Sequence, residues 1–127
     1  MKDEHRFSLP FILWKDFAFE ASHSLKLVPD GHQCGRLHGH SYKVRIHAKG
    51  YTDRKTEWVV DYADIAGVTR PIIESLDHRN LNDVLPFETT AENLAFWVGQ
   101  QLCHKEWLYG VEVFETPTTS VFLAVRQ

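Results

Sequence analysis

The sequence predicts an α+β fold: an antiparallel sheet of four strands with two helices on one face, in the order strand, strand, helix, helix, strand, strand. Three observations predict it. Apolar and polar residues alternate over residues 17–23 and again over 40–48, two later segments repeat apolar residues at helical spacing, and two short alternating runs close the sequence. Stacking both helices on one sheet face lets the apolar stripes and that face cover each other.

In the first strand, residues 11–23, Phe17, Phe19, Ala21 and His23 share one face, and Asp16, Glu20 and Ser22 share the other. That is the period of two of a half-buried strand. Residues 24–37 carry Pro29, Asp30, Gly31 and Gly35 and read as a long loop. The second strand, about 38–49, sets His40, Tyr42, Val44, Ile46 and Ala48 against Lys43, Arg45, His47 and Lys49. A turn over 50–55 and a short extended piece over 58–60 follow. Asp61 suits the N-cap of a helix over about 62–76, whose buried stripe is Ile65, Val68, Ile72, Ile73 and Leu76. Pro71 lies inside that helix and should kink it. Thr89-Thr90-Ala91-Glu92 fits a capping box, opening a second helix that buries Leu94, Trp97, Val98 and Leu102. Strands over about 110–116 and 120–126 complete the sheet. Its second face, with Lys43, Arg45, His47, Glu112 and Arg126, has no helix to cover it. Small domains with such a face and open edges often complete themselves by oligomerising.

At 127 residues the chain suits one domain, 1–127, with the polar residues 1–8 expected to be loose. Apolar residues make up 43% and charged residues 24%, as in an ordinary soluble protein. A net charge of −3 gives no basic face for nucleic acid. The apolar run at 9–14 is too short for a secretory signal or a membrane span. Two cysteines, Cys34 and Cys103, do not make a disulfide framework, so the expected setting is the reducing cytoplasm.

The unusual figure is eight histidines. His38-Gly39-His40 puts two imidazoles on one side of a strand. His23 ends the first strand on its apolar face, where an antiparallel neighbour brings it beside them. Three nitrogens around one point suit zinc, with an open position if the site is catalytic. The ordinary alternatives are a satisfied core histidine and a chance His-x-His. Cys34, four residues before His38, is a fourth ligand, a base beside an open metal site, or an inert buried thiol. Cys103 reads as inert. Asp77-His78 is a carboxylate–imidazole pair able to relay protons, or a helix end. Glu115 falls on the apolar face of its strand, so it needs a partner: an internal ion pair, or a guanidine-like heterocycle offering paired N–H groups.

Five separated motifs, spread over about residues 17–126, carry a resemblance. Phe19-Glu20-Ala21-Ser22-His23, Cys34-Gly35-Arg36-Leu37-His38-Gly39-His40-Ser41-Tyr42, Leu76-Asp77-His78-Arg79-Asn80-Leu81-Asn82, Thr90-Ala91-Glu92-Asn93 and Glu115-Thr116 occur in the order found in the 6-pyruvoyl- and 6-carboxytetrahydropterin synthases, which this protein resembles. The resemblance implies the tunnelling fold, trimerising into a barrel and stacking into a homohexamer with sites between subunits. It implies zinc on His23, His38 and His40, Cys34 as catalytic base, and Asp77 with His78 as proton relay. Glu115 would anchor the pterin, with Thr90 and Glu92 nearby. The Cys-x3-His-Gly-His spacing looks like the carboxytetrahydropterin synthases of queuosine (7-deazaguanine) biosynthesis. The biopterin type usually has a longer insert there, and the folate-linked type places Glu where this sequence has Gly35. Thr89 departs from the Pro usual in bacterial relatives. The implied reaction converts 7,8-dihydroneopterin triphosphate to 6-carboxytetrahydropterin, acetaldehyde and triphosphate, with Lys26, Arg36 or an arginine of a neighbouring subunit as candidate partners of the triphosphate. The rival readings are the pyruvoyl-forming reaction and a non-catalytic zinc-binding subunit; the latter would not need Cys34, Asp77-His78 and Glu115 together.

Overall fold

The computed structural model describes residues 2–126. The first two strands run as the alternation predicts. β1 (Phe11–His23) pairs antiparallel with β2 (His38–Gly50) along its whole length, from Phe11 opposite Gly50 to His23 opposite His38. Phe17, Phe19, Ala21 and His23 of β1 and Tyr42, Val44, Ile46 and Ala48 of β2 are all buried. Besides a short edge strand next to β1, β3 (Arg79–Asn80), two further strands extend the sheet on the β2 side. β2 pairs antiparallel with β4 (Leu108–Thr116), and β4 with β5 (Thr119–Ala124).

β3 is absent from the four-strand expectation. It lies parallel to β1, with Arg79 opposite Ala21 and Asn80 opposite Ser22. The sheet is therefore mixed and five-stranded, ordered β3-β1-β2-β4-β5, and not a purely antiparallel set of four. Two residues are too few to show any alternation.

α1 (Tyr62–Glu74) starts at Asp61, whose side chain accepts from the Ala63 N–H. It runs unbroken past Pro71 because the missing N–H removes one ladder bond near the helix end, and the Ser75 N–H still donates to the Pro71 carbonyl at 3.2 Å. A short α2 (Leu81–Val84) leads to α3 (Ala91–Leu102). The N-cap of α3 is Thr90, accepting from the Asn93 N–H, so Glu92 sits one position too early to close a capping box. Ile65, Ile73, Leu76, Leu94, Val98 and Leu102 join the buried sheet face in one apolar cluster, while Val68, Ile72 and Trp97 pack at its margin.

Two smaller expectations change, and an exposed 3-10 helix (Asp3–Ser8) precedes β1. Residues 58–60 form bends and not a strand. Arg126 lies beyond β5 and leaves the sheet face; its guanidinium donates to the carbonyls of Lys105 (2.9 Å), Leu108 (2.7 Å) and Cys103, at the connection from α3 to β4.

The helix-free sheet face is cationic and aromatic together. The Arg45 guanidinium lies 3.9 Å from the Trp14 ring and donates to Asp16 at 2.8 Å, Lys43 stands over Phe114 at 4.2 Å, and His47 meets Glu112 at 3.0 Å. Among the described residues no helix is long and apolar enough to cross a membrane.

Candidate active site

The β1–β2 register builds the histidine cluster. With His23 opposite His38, and His40 two residues along the same strand, the three rings converge at one sheet end. Their ring centroids lie 4.6 Å (His23 to His38), 5.1 Å (His23 to His40) and 4.9 Å (His38 to His40) apart. One ligand nitrogen from each falls within 4.8 Å of the others.

Hydrogen bonds fix which nitrogens face inward. His23 Nδ1 donates to the Thr89 carbonyl at 2.8 Å, and His38 Nδ1 donates to the Arg36 carbonyl at 2.7 Å. Each ring thereby keeps a lone pair on Nε2, the arrangement typical behind a metal ligand. His23 Nε2 is buried and has no hydrogen-bond partner. A buried polar atom left this way costs free energy unless something binds it. Burial pushes the His23 and His40 imidazoles below their ordinary range, against the opposing pull of the Thr89 carbonyl and Glu115 at His23 and of Glu115 at His40. Three imidazoles with converging nitrogens fit a zinc-type centre with a fourth position open.

Glu115 reaches the same point. Its Oε2 lies 3.4 Å from His23 Nε2 and 3.6 Å from His40 Nε2. Glu115 and Glu92 also line one cleft between the start of α3 and the β4–β5 hairpin. Thr90 sits at the rim of that helix with its oxygen engaged as the N-cap. Beneath the histidines, Tyr42 stacks on Phe19 at 4.8 Å, and burial pushes its phenol up.

Cys34 lies in the loop between β1 and β2, on a single 3-10 turn (Gln33–Gly35), half-buried. Its N–H donates to His32 Nδ1 at 3.0 Å and its carbonyl accepts from Leu25 N–H at 2.8 Å. It is not one of the side chains whose ligand atoms converge. Asp77 and His78 are docked on the edge of β1, and His78 lines one cavity together with His40 of the triad. Asp77 Oδ1 accepts from the Glu20 N–H at 2.9 Å and from His78 Nδ1 at 3.0 Å, while the His78 N–H donates to the Glu20 carbonyl at 2.6 Å. The Glu20 N–H and then His78 hold the Asp77 carboxyl below its ordinary range. His78 adopts φ +59°, a left-handed conformation that a non-glycine residue keeps only when its surroundings impose it. Among the described residues no hydrogen bond joins Cys34 to Asp77 or His78.

Sequence reasoning missed Thr89 and Arg36 as the groups that orient the His23 and His38 rings. They act mainly through backbone carbonyls, which every residue type possesses, although Thr89 Oγ1 also lies 3.2 Å from His23 Nδ1. The profile of a family described as 6-pyruvoyl tetrahydropterin synthase matches residues 12–125. The chain belongs to that family.

Relatives agree with this. A Synechocystis protein named 6-carboxy-5,6,7,8-tetrahydropterin synthase is 36% identical over 87% of this chain and 90% of its own length. One of the same name from Haemophilus influenzae is 29% identical over 86% of this chain and 95% of its own length. The solved structure of Caenorhabditis elegans 6-pyruvoyl tetrahydropterin synthase superposes with a TM-score of 0.84, covering 93% of this chain and 97% of that one at 24% identity, which establishes the shared fold.

Proposed function

We propose that this protein, as one pterin-synthase-like domain over 1–127, is a 6-carboxytetrahydropterin synthase. It would convert 7,8-dihydroneopterin triphosphate to 6-carboxy-5,6,7,8-tetrahydropterin, acetaldehyde and triphosphate, in the cytoplasm and on the route to queuosine. The observation that carries the reading is the convergence of His23, His38 and His40, with a buried His23 Nε2 that has no hydrogen-bond partner, next to the loop that bears Cys34. Membership of the family and the names of the two relatives support the same chemistry.

His23, His38 and His40 would hold zinc, which supplies Lewis acidity to the substrate's hydroxyls when bound. Cys34 thiolate removes a proton from a carbon next to those hydroxyls, and His78, steadied by Asp77, moves protons between carbon and oxygen. Glu115 accepts paired N–H bonds from the pterin edge. Glu92 lines the same cleft, and the Thr90 hydroxyl still has a proton to donate. Lys26 and Arg36, on the Cys34 loop, are the nearby cations for triphosphate. Among the described residues no hydrogen bond links Cys34 to the Asp77–His78 pair, which is in keeping with an active site completed by a neighbouring subunit in a homohexamer.

The test is to incubate purified, zinc-loaded protein with 7,8-dihydroneopterin triphosphate and trap volatile aldehydes. Acetaldehyde should appear in proportion to triphosphate. Triphosphate with a pyruvoyl product and no acetaldehyde would assign the biopterin-type reaction, and no release at all would leave a zinc-binding subunit.

A further inference from the structure

The loop that carries Cys34 has little apolar packing to hold it. Leu27 and Leu37 are 84% and 65% exposed, and Lys26, Pro29, Asp30, Gly31, His32 and Gln33 add little buried surface. Segments with so few buried contacts open readily unless specific bonds tie them down. Three ties exist. Asn82 brackets Ser24, accepting its N–H at 2.8 Å and donating to its carbonyl at 3.0 Å. Leu25 N–H donates to the Cys34 carbonyl at 2.8 Å. The third tie is a carboxylate: Glu88 takes the Lys26 N–H at 2.8 and 3.0 Å and the Leu27 N–H at 2.6 Å. Bonds to an ionised acceptor are roughly twice as strong as neutral ones.

Glu88 is also fixed at its other end. Its carbonyl accepts from Asn93 Nδ2 at 2.9 Å, tying it to the first turn of α3. The next residue, Thr89, holds His23 Nδ1 through its carbonyl. One short segment therefore grips the Cys34 loop with a carboxylate and a metal-facing histidine with a backbone oxygen. We infer that Glu88 is a positioning residue, which sets where Cys34 stands relative to the histidine centre by clamping the backbone at Lys26 and Leu27. The inference rests on Cys34 being the base. A base displaced by about 1 Å can lose on the order of a hundredfold in rate.

The test uses the zinc-loaded protein with Glu88→Ala and Glu88→Gln. A glutamine keeps one acceptor oxygen for the Leu27 N–H but sets an NH2 donor against the Lys26 N–H and loses the charge, so Glu88→Gln should fall between the parent and Glu88→Ala. In Glu88→Ala, amide exchange at Lys26 and Leu27 should speed up, and iodoacetamide should alkylate Cys34 about tenfold faster. Turnover (kcat) should fall by about ten- to a hundredfold, with KM within about twofold and zinc content unchanged. Exchange and alkylation need no turnover, so they test the clamp even if the proposed reaction is wrong. Parent-like exchange and alkylation in Glu88→Ala would overturn the inference. So would zinc loss in step with the change at Cys34, which would mean general collapse of the site. Should the alanine variant fail to fold, Glu88→Asp, retracted by one methylene, should behave as predicted for alanine, and parent-like behaviour there would count against the clamp.

Discussion

His23 and His38 each spend Nδ1 on a backbone carbonyl, at Thr89 and at Arg36, and present Nε2 to a common point. Removing a ring from that point should remove the metal. Elemental analysis of His38→Ala or His40→Ala should show most of the zinc gone, and full retention in both would sink the site. Cys34 stands outside the converging set, so Cys34→Ala should abolish turnover while zinc persists. Zinc loss in that variant would indicate a closed four-ligand site. Asp77 lends itself to a separate test by pH. The Glu20 N–H, and then His78, hold its carboxyl below the ordinary 3.8, so the folded state favours the anion. A depressed carboxyl stabilises above its unfolded value and loses that contribution as pH falls through the folded one. Asp77→Asn keeps the oxygen that accepts the Glu20 N–H but not the charge. Urea midpoints of parent and Asp77→Asn should therefore differ at neutral pH and converge as pH drops below 3.8, and a gap independent of pH would contradict this assignment. Turnover at neutral pH should fall in Asp77→Asn, because His78 loses its anionic partner.

At the scale of the elements, what the sequence made legible was whatever depends on side-chain period. Phe17 to His23 and Tyr42 to Ala48 alternate into the core, and Ile65, Ile73, Leu94, Val98 and Leu102 form the buried helix stripes as spaced. The histidine cluster was legible because two of its members sit at i and i+2 and the third ends the adjoining strand. What stayed hidden depends on backbone groups or on long-range docking. β3 is two residues held against β1, Thr89 turns inward toward His23 and leaves Thr90 to cap α3, and Arg126 folds onto carbonyls instead of continuing β5. The close approach of β4 and β5 was hidden for the same reason, and it yields a prediction. A Cβ at Gly110 would run into the Phe122 ring and come within 2.8 Å of the Leu123 carbonyl. Gly110→Ala should cost about 1–3 kcal/mol by urea unfolding, the usual range for overpacking. Adding Phe122→Leu to that variant should recover only part, because the Leu123 carbonyl belongs to the strand backbone and has no rotamer to escape into. An alanine tolerated without loss would mean the hairpin has slack that this packing denies.

At the scale of the whole molecule, the sheet ends in two open edges of different kinds. β1 is paired on its outer side only at Ala21 and Ser22, so the backbone from Phe11 to Glu20 has no strand partner there, and β5 pairs with β4 alone. Phe11, Ile12 and Trp14 are 45%, 54% and 48% exposed along that unpaired stretch. Unequal edges cannot satisfy each other in a two-fold dimer. They match head to tail, and such contacts close into a ring when the rotation permits. A ring of sheets removes the edges altogether and turns the cationic and aromatic face inward, where Arg45, Trp14, Lys43 and Phe114 already cover one another. The expected assembly is a hexamer of two trimers, measured by light scattering at assay concentration. Ile12→Lys, which places a charge on the open β1 edge, should shift the population toward smaller species. Its zinc content should hold, because the triad lies at the opposite end of β1. If the proposed site is shared between subunits, turnover should fall with the assembly. A fully active monomer, in the parent or in Ile12→Lys, would refute both the ring and the shared site.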